Sequence, residues 1–163
     1  ILILRRNFIK TSILAGIGTL SEVRLAHSVL DWTPLHHQNE LTCKCGCGAN
    51  SMDADFMDRL QLLRTEWYKE STRILKVSSG FRCRKHNARV SKFSRSDGSG
   101  PHTLGKAVDI LISGNDATKL FKMAKQYMSG IGYSFKGRSR YHYLHLDTLT
   151  PEEADRPAVW AYK

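Results

Sequence analysis

The chain predicts an α+β fold, with helices packed on a small antiparallel sheet, and three observations carry that expectation. Two stretches place apolar residues at steps of three and four, the mark of helices with one buried face. The run Ala107-Val108-Asp109-Ile110-Leu111-Ile112 is apolar apart from one carboxylate, as in a buried strand. Finally, two strand-like runs flank the basic turn Lys136-Gly137-Arg138-Ser139-Arg140, which suits an antiparallel hairpin. At 163 residues the chain has room for one such domain, since domains commonly run to about 100–150 residues.

The amino-terminal segment reads as an address. Arg5-Arg6-Asn7-Phe8-Ile9-Lys10 precedes an apolar stretch from Ile13 to Leu20, and polarity returns at Ser21 and Glu22. The apolar part is far short of the roughly 20 residues that a membrane-spanning helix needs, so a signal is expected and no stable transmembrane anchor. The arginine pair followed by x-Phe-Ile-Lys resembles the twin-arginine export signal, with Leu4 where Ser or Thr is usual. That resemblance implies export in the folded state, to a periplasmic or extracellular destination. We expect residues 1–28 to form the signal and residues 29–163 the functional domain.

Along the domain, residues 52–68 carry Met52, Phe56, Met57, Leu60, Leu62, Leu63 and Trp67 on a helical repeat, with Asp53 suited to cap it. Residues 74–78 read as a short strand stopped by Ser79-Gly80, and a loop follows. Residues 92–101 are rich in Ser, Gly, Arg and Asp and are expected to be an exposed, mobile loop bordering a site. Residues 116–128 form a second helix with Leu120, Phe121, Ala124 and Met128 on one side. Residues 131–135 and 141–147 supply the hairpin strands.

Hydrophobic residues at 41% and charged residues at 25% are ordinary for a folded globular chain. The formal charge of +10 favours polyanionic partners, among them nucleic acid, anionic lipid and acidic wall polymers. The domain stays basic without the signal, which takes away four cations against Glu22. No recognition helix or aromatic-studded platform accompanies the charge, so no nucleic-acid partner is expected. A monomer suffices for this reading.

Chemistry concentrates at His102, Asp109 and His145. An acid embedded in so apolar a strand needs a partner, because burying it alone costs several kcal/mol. Two imidazoles and a carboxylate suit a catalytic zinc ion, which takes three protein ligands and leaves a place for water. Leu104-Gly105 can turn the chain so that His102 faces the strand bearing Asp109. Strand alternation sets Tyr143, His145 and Asp147 on one face and His142, Leu144 and Leu146 on the other.

In order, Ser79-Gly80-Phe81-Arg82-Cys83, His86-Asn87, Gly100-Pro101-His102-Thr103-Leu104-Gly105-Lys106-Ala107-Val108-Asp109, Gly130-Ile131-Gly132 and His145-Leu146-Asp147 resemble the D-Ala-D-Ala carboxypeptidase family of zinc peptidases. That family includes phage endolysins, murein endopeptidases and vancomycin-resistance dipeptidases, and shares its fold with the hedgehog signalling domain. The resemblance spans about residues 40–162. It implies zinc held by His102, Asp109 and His145, a peptidoglycan peptide as substrate, and Arg82 as a catalytic arginine that steadies an oxyanion or substrate carboxylate. Members often carry Glu or Asp three residues before the last histidine, where this chain has His142. An imidazole can accept a proton near pH 7, so His142 is the expected general base, with Asp147 orienting a ligand. Gly100 also departs from the family's usual Ser, which should alter loop hydrogen bonding more than metal binding. A zinc-containing wall-binding module without catalysis is the alternative.

Cys43, Cys45 and Cys47 alternate with other residues, and Cys83 lies far along the chain. A structural zinc site and one or two disulfides joining Cys83 to the cluster both accommodate this pattern. The spacing points to no catalytic cysteine.

Overall fold

The computed structural model describes residues 39–134 and 142–162, with the side chain of His142 excluded. The signal segment and the basic hairpin turn therefore lie outside the described residues. Among those described, no helix is long and apolar enough to cross a membrane.

The elements in chain order are α1 (Ala54–Glu70), β1 (Lys76–Ser79), α2 (Arg84–Val90), a 3-10 turn (Pro101–Leu104), β2 (Ala107–Ile112), α3 (Gly114–Ala124), β3 (Gly130–Ser134), β4 (His142–Asp147) and β5 (Ala158–Ala161). The five strands form one sheet in the order β1-β2-β4-β3-β5. Pairing is antiparallel across the first four strands, and β5 adds to β3 in parallel. The α+β class is as expected, but β5 makes the sheet mixed rather than wholly antiparallel.

Helix α1 starts where the sequence places it, because the Asp53 carboxylate accepts the Phe56 N–H at 2.9 Å and satisfies a donor the first turn leaves open. Its buried face presents Phe56, Leu60, Leu63 and Trp67. These meet Leu120 and Ala124 of α3 and Val108, Ile110, Ile131, Leu144 and Leu146 from one face of the sheet. Helix α3 stops at Ala124, earlier than expected, and the chain to Met128 continues as turns that still bury the Met128 side chain.

Two elements were not foreseen besides β5. Helix α2 is short and polar, with only Asn87 buried, and is capped by the Cys83 sulfur, which accepts the His86 N–H at 3.4 Å. The 3-10 turn closes on Gly105 at φ 71°, a left-handed conformation that glycine adopts without penalty. The loop before that turn is mostly exposed, as expected, but ends on buried Gly98 and Ser99, where Asn87 Nδ2 donates to Gly98 O at 2.9 Å.

Candidate active site

Because alternate residues point to opposite faces, the apolar set of each central strand faces the helices and the other set is left for chemistry. The register lines up one row across that second face. Ser79 pairs with Asp109, Asp109 with His145, His145 with Gly132, and Gly132 with Trp160. The adjacent row runs Ala107, Asp147, Gly130, Ala158.

Three of the residues singled out from sequence converge. Asp109 Oδ1 lies 3.0 Å from His145 Nδ1 and 3.4 Å from His102 Nε2. His102 arrives from the 3-10 turn, and its ring stands 5.1 Å from that of His145. Its Nδ1 is 2.7 Å from the Gly80 carbonyl. A carbonyl only accepts, so Nδ1 carries the proton and the Nε2 lone pair is aimed at the Asp109 oxygen. Burial pushes the His102 pKa down despite the carboxylate, which keeps the ring neutral. A neutral nitrogen and a carboxylate oxygen facing each other are two acceptors in need of a cation.

His145 reads differently. Burial disfavours its charge, but hydrogen bonds to Asp109 and Asp147 outweigh that and hold its pKa up at about 9. The proton on its Nδ1 is donated to Asp109 Oδ1 at 3.0 Å. Zinc at about 2.0–2.2 Å from nitrogen and oxygen donors in a tetrahedron would space those donors about 3.4 Å apart. The separations of 3.0 and 3.4 Å match that spacing, and the three donor atoms all lie within 4.8 Å of one another. The donor set thus fits zinc.

Arg82 lies beside this group. Its Nη2 bonds the second oxygen of Asp109 and its Nε donates to Ser79 Oγ at 2.8 Å. Burial raises the Asp109 pKa, but His102, His145 and their hydrogen bonds more than reverse it, so the carboxylate stays ionised well below the usual range. Asp147 is fully buried and accepts from His145 Nε2 at 3.2 Å, Leu149 N at 3.2 Å, and Arg156 Nε and Nη2 at 2.9 and 2.6 Å. His145 is consequently held between two carboxylates, one on each nitrogen. Asp147, expected to orient a ligand, lies against the outer nitrogen of His145.

The sequence reading missed Arg156, Trp160 and Tyr162. Arg156 was implied by the same reasoning that marked Asp109, since a buried Asp147 also requires a cation. Its guanidinium additionally stacks 4.9 Å from the Trp160 ring. Trp160 stands 5.6 Å from the His145 ring, and Tyr162 contacts Tyr143 at 5.3 Å and Phe93 at 5.7 Å, forming an aromatic wall along one side of the site. Burial raises the Tyr162 pKa, so its hydroxyl keeps the proton. For His142 only the backbone is described. The β2–β4 register is unbroken from Ala107 and Asp147 to Ile112 and His142, which keeps position 142 in step with Leu144 and Leu146.

Two imidazoles and a carboxylate converging on the open face of a sheet, with an arginine beside them, are a group that could hold a metal ion. A sequence model of the family described as Peptidase M15 matches residues 35–147, more than half of the chain, and the chain belongs to that family of zinc-dependent peptidases. The match stops at Asp147, so Arg156, Trp160 and Tyr162 join the site through geometry alone. No curated protein and no solved structure matches the chain.

Proposed function

We propose that this protein hydrolyses peptide bonds in the stem peptides or cross-links of bacterial peptidoglycan, as a D,D-carboxypeptidase or murein endopeptidase. The observation that carries the reading is the meeting of His102 Nε2 and His145 Nδ1 at one oxygen of Asp109 while Arg82 binds the other. When bound, zinc supplies a Lewis acid that polarises a carbonyl and lowers the pKa of water to about 7.

The chain's own residues supply the rest. Asp109 and the two histidines fix the charge at the centre, and Asp147 sets the ring orientation of His145. Arg82 uses two donors on Ser79 and Asp109, and a guanidinium has five. Its side chain is 13% exposed, so the remaining donors are within reach of a substrate carboxylate or a developing oxyanion. His142, three residues before His145, stands outside this scheme, because the unbroken register keeps position 142 in step with Leu144 and Leu146 and out of the row that carries Asp109 and His145. The aromatic wall of Tyr143, Trp160 and Tyr162 gives an extended peptide an apolar side to lie against. A basic surface would hold the enzyme on an anionic wall, and the signal-like amino terminus suits an exported protein.

Incubation with defined muropeptides, followed by mass spectrometry of the released fragments, tests the proposal and names the bond. Cleavage should stop with chelator, return with zinc and be absent in His145→Ala. Wall binding without turnover would instead favour the non-catalytic module, and turnover that survives His145→Ala would sink the assigned centre.

A further inference from the structure

A second group of metal-ligating side chains lies outside the site described above. Cys43, Cys45, Cys47 and Cys83 bring their sulfur atoms within 4.8 Å of one another. Cys43 and Cys45 Sγ are 3.4 Å apart, and Cys45 and Cys83 Sγ 3.7 Å. Zinc bound by four thiolates at about 2.3 Å would set tetrahedral sulfur–sulfur edges of about 3.8 Å. All four thiols are free, and these separations are far beyond the about 2.05 Å of a disulfide bond. Four sulfurs gathered about one point are what a single ion requires.

The local chain is built for that gathering. Gly46 and Gly48 adopt φ of 83° and 72°, and Cys43 N donates to Ala49 O at 2.8 Å, folding residues 43–49 into a compact loop. The Cys83 N–H points at Cys43 Sγ at 3.3 Å and the His86 N–H at Cys83 Sγ at 3.4 Å, donors of the kind that favour sulfur in its ionised, metal-binding form. We propose that these four cysteines hold a structural zinc ion that ties the segment before α1 to the start of α2.

The tie has a purpose in the fold. Phe81 N donates to Leu41 O at 2.9 Å, and a Cβ on Gly80 would stand 2.7 Å from Leu41 Cα, so the two segments lie flush. Between them runs the chain that carries the Gly80 carbonyl orienting His102, then Arg82, whose N–H donates to His102 O at 3.2 Å. Cys83 follows directly. The second ion therefore anchors the strip of backbone that presents Arg82.

The test reads metal rather than activity, and it separates this inference from the catalytic one. The full chain, purified under reducing conditions, should carry two zinc equivalents by elemental mass spectrometry. The double variant His102→Ala/His145→Ala should keep one, and its cobalt form should show sulfur-to-cobalt charge-transfer absorption in the near ultraviolet. Cys45→Ser/Cys47→Ser should keep the other and lose that band. Should the serine variant fail to fold, titrating the wild-type thiols with a mercurial should release one zinc equivalent. No charge-transfer band in the histidine variant, no zinc released by the mercurial, or a native mass lighter by two hydrogens per bridge would overturn the proposal. A wild-type chain that carries only one zinc equivalent, unchanged by His102→Ala/His145→Ala and released by the mercurial, would leave it standing and count against the catalytic centre instead.

Discussion

Replacing Asp147 by Asn keeps the shape of a fully buried side chain and removes its charge. Four hydrogen bonds currently end on that carboxylate, two of them from Arg156. An amide has one acceptor oxygen, so its NH2 group must face a donor from Arg156 or His145. Breaking a buried ion pair from one side costs about 3–5 kcal/mol. The Arg156 side chain is 11% exposed and can recover some hydration, so the lower end, about 3 kcal/mol, is expected. The second effect is on the metal. With Nε2–H donated to Asp147, His145 offers its Nδ1 lone pair toward Asp109, and partners of this kind are worth about 10–100-fold in metal affinity. Zinc affinity from competition with a chromophoric chelator should therefore fall by that factor, and urea unfolding of the metal-free chain should register the stability loss. Should Asp147→Asn remain folded by circular dichroism with zinc affinity within twofold of wild type, Asp147 has no hand in aiming His145.

Arg82→Lys retains a charge but not the fork, and kcat on a cross-linked muropeptide should drop by about 10²–10³, the usual worth of an oxyanion donor; a change below threefold would reduce Arg82 to a structural partner of Asp109. Because the β2–β4 register keeps position 142 on the side of Leu144 and Leu146, His142→Ala should leave kcat within about threefold with the zinc content intact, and a fall of about 10²–10⁴ would make His142 the general base after all. In the metal-free chain the folded pKa of His145, about 9, lies above its ordinary 6.5. Its contribution to stability is therefore complete below pH 6.5 and is lost as pH rises through about 9, so the urea midpoint should fall across that window while zinc affinity climbs; a flat profile for both would contradict the paired-carboxylate picture. Gly132→Ala would put a methyl group 2.6 Å from the Tyr162 ring and 2.7 Å from Trp160, and should cost about 1–3 kcal/mol by urea denaturation, whereas a neutral result would mean that the aromatic wall is loosely seated.

What could be read from the chain follows the strength of the local physics. Strand β2 matched its expected bounds because an uninterrupted apolar run leaves few other solutions, and α1 matched its start because Asp53 is a strong cap. The hairpin strands β3 and β4 came within a residue of their observed starts and pair as expected. Helix α2 escaped notice because its stability is not in its own sequence: seven mostly polar residues lean on the Cys83 cap and on Asn87. Strand β5 escaped for a similar reason. Ala158–Ala161 is short and half-exposed, and only pairing with β3 makes it a strand. The three proposed ligands were legible because an acid in an apolar strand demands explanation, and Arg156 was missed where the same demand at Asp147 went unanswered.

The alignment of the site is a by-product of core burial. Val108, Ile110, Leu144 and Leu146 are all fully buried, and the unbroken pairing of β2 with β4 puts them on the helix side together. Slipping β4 by one residue would turn Leu144 and Leu146 outward and carry His145 and Asp147 into the core. At about 1.5–3 kcal/mol for each large apolar side chain, two leucines forfeit on the order of 3–6 kcal/mol, before the cost of burying the two polar groups. The hydrophobic face thus holds Asp109 opposite His145 without any contribution from a metal. Strand β3 then makes space by omission: a Cβ at Gly130 would land on the Asp147 carboxylate and on Arg156, and one at Gly132 on the aromatic wall. Two side chains are missing from the neighbouring strand where the site's own groups need the volume, so the glycine pair belongs to the construction of the centre as much as the residues that would touch the ion.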